Sequence, residues 1–197
     1  MGHRLLPFAP ALYHGTEKSC PYFEGWYYKL ALPGDSLAVI PGIFRSRHSP
    51  QGDISFIQVL YGRQSAFIRY PPEAFRAHPH SMDIQIGNSR FTMDGLHLDI
   101  TTGGLTLQGR ARFTGVHTLK THPLSPSIMG PFSFLPGMQC NHGLLSLEHT
   151  VWGILRHNET TLRLEGAKGY IEKDWGSAFP SAWVWLQGHA SGQDASF

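Results

Sequence analysis

Apolar and polar side chains alternate through the middle of the chain. In residues 82–86 (MDIQI) every second side chain is apolar. The same period of two recurs in three further runs, at 91–93, 96–101 and 105–113. Turn-forming pairs separate these runs: Gly87-Asn88, Asp94-Gly95 and Gly103-Gly104. Successive side chains of a β-strand point to opposite faces, and Asp-Gly is typical of two-residue hairpins. The pattern therefore predicts an antiparallel meander with one apolar face.

Three other runs, at 25–32, 36–44 and 54–61, are apolar on both faces. Such runs fit strands whose second face lies against a ligand, another sheet or a covering loop. Further strands are predicted at 144–155, 161–166, 169–173 and 182–188. Four prolines within residues 121–143 predict a long ordered connection, a kind of loop that is often functional. The only modest helix candidate is 72–77.

Many short strands with regular turns predict an all-β fold, an antiparallel meander that forms a lipocalin-like barrel or sandwich. We expect an N-terminal lipocalin-like β-domain over residues 1–176. The strand-like run 182–188 has little chain after it with which to pair. Residues 177–197 are therefore expected to be the truncated start of a second, similar β-domain.

Composition narrows the classes of function. With 22 Gly and 14 Pro among 197 residues, turns are favoured over long helices. A net charge of +2 lacks the basic excess that binding to a phosphate backbone needs, so no nucleic-acid partner is expected. Two distant cysteines indicate neither a zinc knuckle nor a disulfide framework. No run is long enough to span a membrane, which predicts a cytoplasmic protein and leaves weak association with a membrane surface open.

Acidic and aromatic residues are concentrated in two segments, 22–29 (YFEGWYYK) and 168–180 (KGYIEKDWGSAFP). On a strand, Glu172 and Asp174 share one face and Lys173 takes the other. An acid held against aromatic rings loses solvation, so its pKa rises and it can donate a proton near neutral pH. The same rings stabilise a developing cation. This combination suits protonation of an alkene.

Plainer explanations remain open. The acids could pair with Lys29 and Lys173 at a strand end while the tryptophans fill the core, and composition alone favours that account. Histidine spacing gives no HExxH motif, so neither a metal nor another cofactor is expected. His142 could bond an acid, orient a substrate or satisfy a backbone carbonyl. Nucleophilic hydrolysis finds no support, since no GxSxG motif is present and Cys140 near His142 is a coincidence that strand alternation would place on one face.

The sequence resembles the tocopherol cyclase-like family from about residue 13 to its end. The motifs that carry the resemblance are YFEGWYYK at 22–29, MGPF at 129–132, CNHG at 140–143 and GYIEKDWG at 169–176. The resemblance implies two lipocalin-like β-domains and a lipophilic small-molecule substrate. Plant enzymes of this family cyclise a prenylated hydroquinone to a chromanol without a metal or redox cofactor. Related proteins include carotenoid hydratases and fungal polyketide cyclases.

If that activity carries over, an acid protonates a prenyl double bond and the phenolic oxygen closes on the cation. The resemblance then makes Asp174 the first candidate for the proton donor, followed by Glu172 and Glu24. The expected substrate-binding residues are Trp26, Tyr27, His142, Trp175, Trp183 and Trp185. Gln139 departs from the acidic residue expected before the CNHG motif, which puts activity in doubt. The alternatives are a lipocalin-like carrier of isoprenoids or lipids without catalysis, and a related hydratase or isomerase.

Overall fold

The computed structural model describes residues 9–16, 18, 20–46, 52–182, 184, 186 and 187. Twelve β-strands lie within this part of the chain. They are β1 (Tyr22–Leu32), β2 (Asp35–Arg45), β3 (Ile54–Tyr61), β4 (Gln64–Tyr70), β5 (Phe75–Ala77), β6 (Asp83–Ile86), β7 (Ser89–Thr92), β8 (Gly95–Thr102), β9 (Leu105–His117), β10 (Cys140–His157), β11 (Thr160–Arg163) and β12 (Ala167–Gly176).

The strands form one antiparallel sheet in the order β4-β3-β2-β1-β12-β10-β9-β8-β7-β6-β5, with β11 paired to β10. Strands β1–β4 and β5–β9 are two meanders, and β12 joins them by pairing with both β1 and β10. The sheet curls into a nearly closed barrel. The predictions of an all-β fold and of the meander at 82–113 are confirmed.

The structure differs from the sequence-based expectations at three places. Strand β4 was not predicted, although it pairs with β3 along its whole length. The helix candidate at 72–77 is a single 3₁₀ turn, Pro72–Ala74, after which the backbone extends at Phe75 and pairs as β5 with β6. Residues 182, 184, 186 and 187 belong to no strand, so the strand predicted at 182–188 does not form at its described positions.

Large apolar side chains fill the barrel interior. Every second residue of β1 points inward, and Trp26, Tyr28 and Leu30 are almost completely buried. The meander β6–β9 supplies the opposite wall with residues such as Phe91 and Leu107. A lipocalin-like shape therefore does not imply an open central ligand chamber, because these side chains occupy the space.

The connection between β9 and β10 is an ordered loop with one 3₁₀ segment, Gly130–Phe134. Strand β10 begins at Cys140, earlier than the sequence predicts, because Cys140 already pairs with Gly176 of β12. Strand β12 ends at Gly176, where the domain boundary is predicted, and a second domain over 177–197 stays a prediction. Among the described residues, no helix has the length and apolar character to cross a membrane.

Candidate active site

Strands β1 and β12 present different side chains on their two faces. Directly paired residues of an antiparallel sheet share a face. Tyr27 pairs with Glu172 and Gly25 with Asp174 on the outer face, whereas Trp26 pairs with Lys173 on the inner face. The alternation predicted from sequence, with Glu172 and Asp174 together and Lys173 opposite, is therefore present.

Strand β10 adds a histidine to the outer face. His142 pairs directly with Asp174 in the sheet, and its Nδ1 lies 2.8 Å from Asp174 Oδ1. Its Nε2 lies 3.8 Å from Glu172 Oε2. The Tyr170 hydroxyl donates a hydrogen bond of 2.5 Å to the same Glu172 oxygen. One imidazole thus lies between two carboxylates, one of which is fixed by a phenol.

The two carboxylates control the charge of the imidazole. Burial alone would lower the pKa of His142, but the hydrogen bond and charge of Asp174, together with the charge of Glu172, outweigh it and raise the pKa. Burial and the nearby Asp174 charge raise the pKa of the Cys140 thiol to about 11, which disfavours a thiolate nucleophile. Burial and the Glu172 charge raise the pKa of Tyr27, which keeps its phenol protonated.

A cavity of about 670 Å³ opens over this group. Beside Glu172, Asp174, His142 and Tyr27, its walls are mostly apolar: Phe23, Ile40, Ile43, Phe56, Phe179, Pro180 and Val184. Phe179 packs against Phe23 with ring centroids 5.0 Å apart, so the chain after β12 forms part of the wall. A Cβ on Gly25 would meet only ordinary contacts, at 3.7 Å or more, so this glycine leaves the floor open beside Asp174.

Sequence reasoning did not name Ile40, Phe56 or Gln58 as site residues, although all three line the cavity. A signal for them existed. The runs 36–44 and 54–61 are apolar on both faces, and the outward side chains of β2 and β3 form part of this cavity. The sequence does not show what lies against the outward face of these two strands, and so these residues could not be assigned to the site.

The inner face holds a buried ion pair. Lys173 Nζ lies 2.5 Å from Glu24 Oε1, and both side chains are 0% exposed. Lys173 also donates to the carbonyls of Pro10 and Leu12, and its ammonium lies 4.7 Å from the Trp175 ring centroid. Burial, partly offset by the partner's opposite charge, raises the pKa of Glu24 and lowers the pKa of Lys173 to about 8. The lysine thus fastens the N-terminal segment to the barrel.

The residues predicted for the site therefore separate into three sets. Asp174, Glu172, His142 and Tyr27 meet at the cavity. Glu24 also borders this cavity, but its side chain, like those of Trp26 and Trp175, belongs to the inner face. Trp175 also lines a second cavity of about 740 Å³ beneath the β9–β10 loop. Trp183 and Trp185 lie outside the described residues.

Two further sequence observations concern this end of the barrel. Gln139 is exposed and does not line the site cavity; its backbone carbonyl accepts hydrogen bonds from Ser177 and Ala178. Within the described part of the chain, no three His, Cys, Asp or Glu side chains are grouped so as to hold a metal ion.

Comparisons with known proteins agree with the resemblance seen in the sequence. Residues 122–196 match the family model described as tocopherol cyclase-like, which confirms the resemblance over the MGPF, CNHG and GYIEKDWG motifs. The YFEGWYYK motif lies outside that match. None of the curated proteins compared with the chain matches it significantly.

Six chains of solved structures match, among them the crystal structure of CghA with Sch210972. That match has a TM-score of 0.50 at 12% identity, and it covers 80% of this chain and 46% of the CghA chain. At this identity the likeness shows a shared fold. The matched part of the chain spans about half of the CghA structure.

Proposed function

We propose that this protein is a cofactor-independent cyclase that closes a chromanol ring on a lipophilic prenylated quinol. The observation that carries the proposal is the contact of 2.8 Å between His142 and Asp174 inside an apolar-walled cavity. Cyclisation of this kind needs a proton, a shaped apolar enclosure and a group that takes the proton back. The family match supports the reaction class, and the geometry supports the assignment of roles.

Asp174 is the proposed proton donor. His142 and Asp174 hold one titratable proton between them, and in the reacting form it lies on the Asp174 carboxyl while the imidazole is neutral. This carboxyl proton goes to the less substituted carbon of the prenyl double bond, and positive charge develops on the tertiary carbon. The phenolic oxygen then forms the C–O bond to that carbon and loses its proton. No oxidant, reductant or net proton is required, because the product is an isomer of the substrate.

Glu172 and His142 are the proposed return path for the phenolic proton. The His142 Nε2 faces Glu172 at 3.8 Å, and its Nδ1 contacts Asp174. A proton taken up on the Glu172 side can be accepted by one ring nitrogen while the other nitrogen releases a proton to Asp174. Tyr170 holds Glu172 in place for this exchange.

The apolar walls serve the other half of the reaction. Phe23, Phe56 and Phe179 exclude water, which would otherwise capture the cation and give a tertiary alcohol. A cavity of about 670 Å³ is within the range of small-molecule sites, and it can hold a prenyl chain folded over the ring. Holding the reacting ends together provides the proximity that ring closure needs.

The test is turnover of geranylhydroquinone by the purified protein, with the product identified by chromatography and mass spectrometry. We expect a chromanol, and we expect Asp174→Asn to reduce the rate about 10²- to 10⁴-fold. Asp94→Asn, which changes an exposed turn carboxylate, is the matched control and should keep full activity. Wild-type turnover in Asp174→Asn would overturn the donor assignment.

A carrier without catalysis is the second candidate, and the size and apolar lining of the cavity favour it equally. The chemical fate of the ligand separates the two, because the wild-type carrier should return geranylhydroquinone unchanged whereas the cyclase should return a chromanol. Gly25→Leu, whose side chain would fill the space beside Asp174, should abolish ligand binding in either case and so tests that this cavity is the binding site. A hydratase would be recognised by a tertiary alcohol product.

A further inference from the structure

A row of basic side chains crosses the outer face of the β5–β11 half of the sheet. Neighbouring strands place Arg163 opposite Ile154, Ile154 opposite Arg110, and Arg110 opposite His97. The row continues from His97 to Arg90, and then through Gln85 to Arg76. With strands about 4.8 Å apart, the row spans on the order of 25–30 Å. This local concentration of basic side chains is not evident from the low net charge of the whole chain.

Most of these charges are not neutralised within the protein. Arg90 is bound by Asp83 at 2.6 Å. Among the described residues, no carboxylate lies within 4.0 Å of Arg76, Arg110 or Arg163, nor of Arg112 in the adjacent row. The strand acids of this face are already engaged, since Asp99 accepts from Asn88 and Gln108 as Asp83 does from Arg90. Glu148 of β10 is bound by Lys168. Four further acids lie in turns at the edge of this half of the sheet: Glu73, Asp94, Glu159 and Glu165.

Two large apolar side chains lie among the arginines. Trp152 is 45% exposed and pairs in register with Arg112, while Ile154 is 49% exposed between Arg110 and Arg163. The Trp152 indole N–H donates a hydrogen bond of 3.0 Å to the Thr114 hydroxyl, which fixes the ring on the sheet surface. Tryptophan is enriched where an apolar layer meets water, because its ring is apolar and its N–H is polar.

We propose that this face, defined by Arg110, Arg112, Arg163, Trp152 and Ile154, docks the protein on an anionic lipid bilayer. Arginines meet the headgroup phosphates, and Trp152 and Ile154 enter the interface between headgroups and acyl chains. A bilayer can contact both the arginines and the two apolar side chains. A nucleic-acid backbone would use the charges alone and leave two apolar side chains against phosphate.

The docking face is separate from the candidate cavity. The cavity is lined by β1, β2, β3, β12, the chain after β12 and the first residues of β10, whereas Trp152 and Ile154 lie ten or more residues further along β10. Bilayer docking therefore does not depend on the proposed cyclase activity, and failure of one leaves the other intact.

The experiment is co-sedimentation of the 197-residue protein with vesicles of phosphatidylcholine containing phosphatidylglycerol, compared with phosphatidylcholine alone. We expect binding to the anionic vesicles that weakens as salt rises. Arg110→Gln/Arg163→Gln should reduce the partition coefficient about tenfold or more, on the basis of about 1 kcal/mol per basic side chain near the surface. Arg63→Gln/Lys120→Gln removes the same charge elsewhere and should change it little.

A second readout tests insertion. Brominated phosphatidylcholine mixed into the anionic vesicles should quench the fluorescence of the wild type more than that of Trp152→Phe, with circular dichroism confirming that both are folded. The proposal is overturned if anionic vesicles do not bind, or if the control double variant loses as much binding as Arg110→Gln/Arg163→Gln. Binding to a duplex DNA oligonucleotide but not to vesicles would also overturn it.

Discussion

Both faces of strands β1 and β12 carry charged residues, but the surroundings of these residues differ between the two faces. On the inner face, Glu24 and Lys173 are completely buried and each is the other's partner. On the outer face, Glu172 and Asp174 meet His142 at a cavity, and the Asp174 side chain is 28% exposed. The buried charges of the inner face pair with each other and stabilise the fold, whereas the charges of the outer face remain accessible to a ligand.

The difference shows that an acid beside aromatic residues is not by itself a sign of chemistry. Glu24 is surrounded by Tyr22 of its own strand, by Lys173 of β12 and by the backbone N–H of His14, and the His14 contact holds the N-terminal segment against the barrel. Asp174 has one strong contact, to His142, and otherwise faces a space of ligand size. The two faces differ in which partner each carboxylate has and in whether a ligand can reach it, and not in the type of residue.

The largest expected effect comes from breaking the inner pair. Lys173→Met leaves Glu24 buried without its counter-ion and releases the carbonyls of Pro10 and Leu12. Removal of one member of a buried ion pair destabilises a protein by about 3–5 kcal/mol. The free energy of unfolding in urea measures this loss.

Asp174→Asn is the matched comparison on the outer face of the same strand, and it should cost about 1 kcal/mol or less. Glu24→Gln/Lys173→Met should recover part of the stability that Lys173→Met loses, because no lone charge remains. Equal losses for Lys173→Met and Asp174→Asn would contradict the division between a structural and a functional face.

A smaller effect should appear as the pH falls. Burial lowers the pKa of His14 to about 3 and that of His149 to about 4. Between these values and the ordinary 6.5, the unfolded chain binds protons that the folded protein does not, so stability falls as the pH drops below 6.5. At pH 4.5, two units below the unfolded value, each histidine should contribute a loss of up to about 2.7 kcal/mol.

His142 should behave in the opposite sense. Its raised pKa stabilises the fold below pH 6.5, and that contribution disappears as the pH rises through the folded-state value. NMR titration of the imidazole protons distinguishes the three residues. Protonation of His14 or His149 in the folded protein at a higher pH than His142 would contradict this difference between the histidines.

Much of the fold followed from local pattern, and the site followed only in part. Alternation in 82–113 was sufficient for the meander because each run is closed by its own turn. The contact between His142 and Asp174 requires β10 and β12 to pair across 32 residues, and no local signal sets that register. Likewise, the partner of Glu24 is clear only after β1 pairs with β12, since Lys173 is remote in sequence.

The least effect, and the sharpest test of separation between the faces, is expected for Glu172→Gln. The substitution removes one of the negative charges that raise the pKa of His142, so this pKa should fall. The fall should be smaller than in Asp174→Asn, because Glu172 lies 3.8 Å from the ring whereas Asp174 is hydrogen-bonded to it at 2.8 Å. The titration of His14, on the other side of the sheet, should not move. A shift of His14 comparable with that of His142 would mean that the sheet does not insulate the two groups, and that the buried pair and the cavity titrate as one network.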